Sequence, residues 1–118
     1  MPNNNYKRGY ALERNVKLYL ESQGYMATRA AGSHGVYDVW ATDGKSLYFV
    51  QCKIGASPAY ATKLLGEMKS AYLHINPLPD IAAYFSVVDG MKKGKPNELA
   101  GGWGNGNKGY KSTKAPPA

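Results

Sequence analysis

Apolar residues recur at helical spacing in two stretches of the chain. Residues 10–22 place apolar side chains three or four positions apart, and Gly24 supplies a stop signal just beyond them. Residues 59–74 repeat this spacing, although Gly66 weakens the second helix by up to about 1 kcal/mol relative to alanine. Residues 1–9 are mostly polar, and we expect them to be loose until about position 7. The pattern therefore predicts two helices.

Shorter apolar runs lie between turn signals and indicate strands. Asp43-Gly44 joins two of these runs as a strong hairpin signal, and Asp89-Gly90 is expected to end a later one. The Gly32-Ser33-His34-Gly35 turn closes the first run and leaves the backbone free to approach a ligand. The predicted strands cover residues 25–30, 37–42, 46–53 and 81–88, with a weaker fifth candidate at 99–103.

The strand at 46–53 carries apolar residues on both of its faces, because alternate residues of a strand point to opposite sides. Leu47, Phe49, Gln51 and Lys53 share one side, and Tyr48, Val50 and Cys52 share the other. We therefore expect this strand to be central and covered on both sides. The element order predicts an α/β fold in which a mixed central β-sheet of four to five strands is flanked by helices. A single domain is expected over residues 1–103, followed by a flexible basic tail over residues 104–118.

The net charge of +7 is concentrated near the end of the chain. Residues 1–90 carry nine Lys/Arg against seven Asp/Glu, whereas residues 91–118 carry six against one. Such a chain attracts polyanions, so nucleic acid is the first partner to consider and an anionic membrane surface the second. No run approaches the roughly 20 apolar residues of a membrane-spanning helix. The single cysteine, Cys52, excludes an internal disulfide framework and a multi-cysteine zinc site. We expect a soluble, cytoplasmic protein, located in a host cytoplasm if its source is a virus.

Three polar residues are predicted to meet at one end of the central hairpin. Asp38 stands near the start of one strand, and Gln51 and Lys53 stand at the end of its partner. Taken separately, Asp38 reads as a strand start beside a turn and Lys53 as an exposed strand end. Together with Gln51 they favour a functional site, because polar groups at the end of an apolar strand need partners. The sequence thus indicates a place for a metal ion and a water.

An ordered set of residues around this hairpin resembles the archaeal-type Holliday junction resolvases, a branch of the restriction-endonuclease-like nucleases. The set consists of Glu13, Arg29, the Gly32-to-Gly35 turn, Asp38 and Gln51-Cys52-Lys53. The resemblance covers roughly residues 7–88 and implies a restriction-endonuclease-like fold. It also implies a homodimer that nicks two opposed strands of a four-way DNA junction near the branch point, leaving 5′-phosphate and 3′-hydroxyl ends.

The resemblance assigns a role to each of these residues. Hydrolysis of a phosphodiester needs charge neutralisation, an activated water and a stabilised leaving oxygen, and Mg²⁺, or Mn²⁺ in its place, can contribute to all three. Asp38 is the expected anchor, with oxygens from Gln51, from the Cys52 carbonyl and, directly or through water, from Glu13. Lys53 would orient the attacking water, and Arg29 would grip a phosphate. The expected contacts to DNA are Lys7, Arg8, Arg14, Arg29, Ser33 and His34.

Gln51 departs from the family pattern, which has an acidic residue at this position. An amide oxygen still coordinates a metal, but the lost charge is expected to weaken metal affinity. Taken alone, Glu13 also reads as a solvated residue near the positive end of a helix dipole. Two alternatives therefore stay open. One is a related endonuclease acting on other branched or duplex DNA, and the other is a non-catalytic protein that binds DNA junctions.

Overall fold

The chain folds into two helices and five strands. A computed structural model of the protein describes residues 4–30, 37–74 and 82–103. In chain order the elements are α1 (Asn4–Ser22), β1 (Met26–Arg29), β2 (Val39–Thr42), β3 (Ser46–Cys52), α2 (Pro58–His74), β4 (Ala82–Lys92) and β5 (Lys95–Trp103).

The five strands form one sheet whose spatial order, β1-β2-β3-β4-β5, follows the chain. β3 and β4 pair in parallel, and the other neighbours pair antiparallel. A parallel pair needs a crossover connection, and α2 lies in the connection between β3 and β4. The predicted α/β fold with a mixed central sheet and flanking helices is confirmed, and the weak fifth strand is a full member of the sheet.

β3 separates two hydrophobic clusters, as its sequence predicts. On one side Tyr48 and Val50 pack in a cluster with α1, and on the other Phe49 packs in a cluster with α2. The α1 cluster contains Leu12, Val16, Leu20, Val39, Ala41, Tyr48, Val50 and Val88. The α2 cluster contains Phe49, Ala61, Met68, Tyr72, Ala83, Phe85 and Val87. Covered on both sides, β3 gives the residues at its end a rigid base.

Three predicted boundaries were wrong by four residues or more, and one of them is the start of β5, which lies at Lys95 instead of position 99. α1 begins at Asn4 instead of near position 10, because polar residues extend the helix beyond its apolar stripe. β4 does not end at Asp89-Gly90 but continues to Lys92. The sheet absorbs this dipeptide through register shifts between Val88 and Met91, and the Asp89 carboxylate accepts a 2.7 Å hydrogen bond from the Asn97 side chain on β5. The predicted tail, residues 104–118, lies outside the described residues.

Candidate active site

The strand register brings most of the predicted site residues to one end of the sheet. Arg29 pairs with Val39, and Val39 pairs with Val50 on the next strand. Asp38 directly precedes β2, and Gln51 and Cys52 close β3. These positions therefore lie side by side at what we call the site end of the sheet.

Asp38 is fixed by hydrogen bonds to both neighbouring strands. Its main-chain N–H donates to the Val50 carbonyl at 2.8 Å, and its carbonyl accepts from the Ala30 N–H at 2.9 Å. Its side-chain Oδ2 accepts from the Cys52 N–H at 2.8 Å, a position that a main-chain carbonyl would occupy if β2 continued. On the other side of β3, the Lys53 N–H donates to the Val88 carbonyl at 2.8 Å. The carboxylate is thus held at the end of β3 by the backbone itself.

The surroundings of Asp38 disfavour its negative charge. Burial raises the pKa of the Asp38 carboxyl, and the nearby Glu13 raises it further. The Cys52 N–H, Lys53 and Arg29 act in the opposite direction, but the net pKa stays above the ordinary value. A half-buried carboxyl in this condition is stabilised as an anion by any added positive charge, including a divalent cation.

Gln51 carries a buried side-chain oxygen at the same end of the sheet as Asp38. Within the described part of the chain, its Oε1 accepts no hydrogen bond. An unpaired buried acceptor costs about 1–3 kcal/mol, so such an atom favours a ligand. Carboxylate, amide and main-chain carbonyl oxygens are the donors that Mg²⁺ prefers, and Asp38, Gln51 and Cys52 can supply one of each. The residues present therefore fit a hard divalent ion.

The Cys52 thiol does not belong to this set of oxygens. It packs against the α1 cluster, and burial, followed by the nearby Asp38 and Glu13, raises the pKa of the thiol well above its usual range. The thiol therefore stays protonated, and only the main-chain carbonyl of Cys52 remains as a donor. Among the described residues no group of three His, Cys, Asp or Glu side chains could hold a metal ion. Gln51 supplies an amide and not a carboxylate at this end of the sheet.

Glu13 reaches the site end from α1, where it pairs with Arg29. The Arg29 Nη2 donates to Glu13 Oε1 at 3.0 Å, and the two side chains are only 26% and 21% exposed. The Arg29 Cζ lies 3.9 Å from the centre of the Tyr10 ring. Burial opposes the charge of Arg29, but Glu13 and Tyr10 outweigh it and raise the pKa of the guanidinium. Glu13 thus holds Arg29 in place, and one of its carboxylate oxygens is engaged by that contact.

Tyr10 was not predicted to belong to the site. It stands three residues before Glu13 in α1, so both side chains lie on one face of the helix. That spacing was available, but the contact depends on where β1 places Arg29, which the sequence does not reveal. The Arg29 Nε is buried without a hydrogen-bond partner among the described residues, so the guanidinium keeps donor capacity beyond its contact with Glu13.

The other predicted residues are distributed around this centre. Lys53 is exposed immediately after β3, close enough to Asp38 to favour its ionised form, and Arg14 is exposed on α1 next to Glu13. Lys7 and Arg8 lie in α1, but their side chains are outside the described part, and so are Ser33 and His34. Within the described ranges, no helix is long and apolar enough to cross a membrane.

Comparisons with known proteins point to one family. A family model described as archaeal Holliday junction resolvase (Hjc) matches residues 4–64, just over half of the 118 residues. No curated protein sequence matches the chain. Among solved structures, the chain is similar to the 1.6 Å structure of Archaeoglobus fulgidus Hjc, a Holliday junction resolvase from an archaeal hyperthermophile. The identity is 20% and the TM-score 0.43, over 67% of this chain and 62% of that one. The chain therefore spans less than two thirds of that resolvase.

Proposed function

Because the chain belongs to the archaeal Holliday junction resolvase family, we propose that it is a metal-dependent endonuclease that resolves four-way DNA junctions by paired nicks near the branch point. One observation supports this proposal most strongly. The Asp38 carboxylate is held by the Cys52 N–H at 2.8 Å, and the residues on either side of Cys52 are Gln51, whose buried Oε1 accepts no hydrogen bond among the described residues, and the exposed Lys53. This arrangement offers oxygens for a cation and a positive charge for an attacking water at a single strand end.

The oxygens of Asp38, Gln51 and the Cys52 carbonyl would hold Mg²⁺ or Mn²⁺, and the second oxygen of Glu13 would contribute through water. When bound, such an ion polarises a phosphoryl oxygen and lowers the pKa of a coordinated water. With one side-chain carboxylate and one amide as direct ligands, the affinity should be modest, because each lost carboxylate removes a full charge from the site.

Arg29 and Lys53 would act on the substrate. Glu13 and Tyr10 hold the guanidinium of Arg29 from two directions, which leaves its remaining N–H groups to donate to a phosphate oxygen. Lys53 would orient the attacking water by hydrogen bonding and stabilise the negative charge that develops at phosphorus. Attack by water in line with the 3′-oxygen would leave a 5′-phosphate and a 3′-hydroxyl.

We also propose that the active form is a homodimer. A four-way junction has approximate two-fold symmetry, and two sites related by a two-fold axis would cut opposed strands in the same way. Sedimentation of the protein alone and with a synthetic junction would test this. A single monomeric species that cuts both strands independently would contradict it.

The central test is cleavage of a synthetic four-way junction with Mg²⁺, with Mn²⁺ and with chelator. Wild-type protein should nick the junction only with metal. Asp38→Asn should bind the junction but cut at least about 100-fold more slowly, because the anchoring charge is gone. Asp43→Asn is the matched control, since Asp43 caps the turn at the opposite end of β3 through hydrogen bonds that asparagine can also accept. It should cut at the wild-type rate.

Two other outcomes would replace the proposal. Wild-type protein that binds the junction in Mg²⁺ and Mn²⁺ but never cuts it would be a non-catalytic binding protein, an outcome made plausible by Gln51. Equal cutting of a junction and a linear duplex of the same sequence would instead indicate a related endonuclease without selectivity for branches.

A further inference from the structure

The β4–β5 hairpin carries three lysines at its tip. Lys92 and Lys93 precede Gly94, and Lys95 follows it. All three side chains are exposed, and within the described part of the chain none of them takes part in a salt bridge or side-chain hydrogen bond. We call this group the lysine tip.

The acidic residues of the same two strands do not neutralise the lysine tip. The carboxylate of Asp89 accepts a 2.7 Å hydrogen bond from Asn97. The Glu98 carboxylate accepts hydrogen bonds from Tyr84 at 2.7 Å and Ser86 at 3.0 Å. Both acids are directed into the body of the hairpin, so the charge of its tip is open to an external anion.

The lysine tip projects beyond the site end of the sheet. Cys52, the last residue of β3, pairs with Val88, and β4 continues for four more residues to Lys92. One of these residues is taken up by the register shift, and β5 spans the same stretch from Glu98 to Lys95 in three residues, so at about 3.3 Å per residue the tip extends roughly 10 Å past the end of β3. β5 then runs back, and Trp103 pairs with Tyr84 towards the opposite end of the sheet. The three lysines of the tip therefore lie on the side of the candidate active site.

The backbone of the turn indicates that a lysine at position 93 costs stability. Lys93 has φ of 54° and Gly94 has φ of 78°, the left-handed conformations of a tight two-residue hairpin turn. Glycine and asparagine adopt this region readily, whereas other residues lose roughly 1–2 kcal/mol there. A strained residue that carries an unpaired charge at an exposed tip is a reason to look for function.

We propose that the lysine tip binds backbone phosphates of the DNA beside the cleavage site. This inference rests on the proposed function, because it takes DNA to be the substrate held at Asp38. Phosphates of one B-form strand follow each other at about 3.4 Å along the axis, so a reach of roughly 10 Å corresponds to about three phosphates from the cut. Contacts of this kind position the duplex without reading its sequence.

The salt dependence of binding tests the proposal directly. Binding of a synthetic four-way junction is measured in chelator, so that no cleavage occurs, at several salt concentrations. Each lost phosphate contact should reduce the slope of log K against log salt by about 0.9. The triple variant Lys92→Asn, Lys93→Asn, Lys95→Asn should therefore lose about two to three units of slope.

Two single variants separate charge from structure. Lys93→Asn should lose about one unit of slope while its melting temperature stays equal or rises, since asparagine suits the left-handed turn. Lys45→Asn is the matched control, because Lys45 is also an exposed lysine beside a hairpin turn but lies at the start of β3, away from the site end. Its slope should equal that of wild type.

The outcomes distinguish this inference from the proposed function. If wild-type protein binds and cuts the junction but the triple variant keeps the wild-type slope, the lysine tip does not bind DNA. If wild-type protein binds without cutting, a reduced slope in the triple variant still supports the tip as a DNA contact while the proposed activity fails. If wild-type protein binds no junction at all, both are overturned.

Discussion

Replacing Gln51 with glutamate would add a second carboxylate beside Asp38 at the end of β3. Val39 pairs with Val50, so Asp38 and Gln51 are the next residues on the two strands. The Asp38 N–H donates to the Val50 carbonyl, so the pairing is irregular here, and the Cβ atoms of neighbouring residues at such a strand end lie about 5–8 Å apart, which lets two carboxylates approach to about 5 Å. The added charge would therefore face a carboxyl whose pKa is already raised by burial.

The cost of this change without metal follows from Coulomb's law. Two like charges about 5 Å apart repel by about 3 kcal/mol at an effective dielectric constant of about 20. The positive charges of Lys53 and Arg29 offset part of this, which leaves a net destabilisation of about 1–2 kcal/mol. For a domain of this size, about 1 kcal/mol shifts the melting temperature by roughly 4 °C, so Gln51→Glu should melt about 4–8 °C lower in chelator.

The destabilisation should depend on pH and disappear with metal. The pKa of a glutamate placed beside Asp38 would be raised in the folded state, so its cost is present above that raised pKa. It is lost as the pH falls below the ordinary glutamate pKa of about 4.3. Metal should restore the variant, because its site would carry one more carboxylate. A tenfold gain in affinity adds about 1.4 kcal/mol at saturating metal, or roughly 6 °C.

Melting curves of wild type and Gln51→Glu, with chelator and with Mg²⁺, are the required measurements. Gln23→Glu is the matched control, because Gln23 is exposed just after α1 and its replacement adds the same charge far from β3. It should show no metal-dependent difference from wild type. A Gln51→Glu protein that melts equally early with and without saturating Mg²⁺ would refute a metal site shared by Asp38 and residue 51.

Three further predictions concern single residues. Asp38→Asn should become more stable relative to wild type as the pH rises above about 4. The raised pKa of Asp38 makes the folded state bind more protons than the unfolded state in that range, and urea melts at several pH values would measure it. Tyr10→Leu should slow junction cleavage about 3- to 30-fold by removing the ring under Arg29, whereas Tyr10→Phe, which keeps the ring and loses only the hydroxyl, should slow it less. Gly101→Ala should cost about 1–3 kcal/mol, because a β-carbon there overlaps the Glu98 carboxylate and displaces its hydrogen bonds.

The arrangement around β3 could be predicted because it depends on local patterns. Alternation along residues 46–53 places Tyr48 and Phe49 in different clusters, and Asp43-Gly44 fixes the hairpin that sets Asp38 beside Gln51. Each of these features depends on neighbours within a few residues. The position of Asp38 near the end of β3 could therefore be predicted from the sequence.

Contacts between distant elements could not be predicted in the same way. The pairing of Glu13 with Arg29 depends on how α1 crosses the end of β1, which no short pattern encodes. The end of β4 was wrongly predicted at Asp89-Gly90 for a related reason. The usual role of this dipeptide as a turn is overridden by pairing with β5 and by the hydrogen bond from Asn97. The lysine tip was not predicted either, because its position depends on that longer hairpin.

The ionic charges at the site end balance one another. The negative charges of Asp38 and Glu13 are balanced by Arg29 and Lys53, so the site as a whole is neutral with glutamine at position 51. A glutamate there would leave one uncompensated negative charge in a half-buried place, which would make the metal-free protein less stable. In the proposed metal site, we therefore expect Gln51 to lower metal affinity and to favour stability of the metal-free protein. A requirement for higher Mg²⁺ concentrations in cleavage and a melting temperature nearly independent of chelator are two consequences of the same residue.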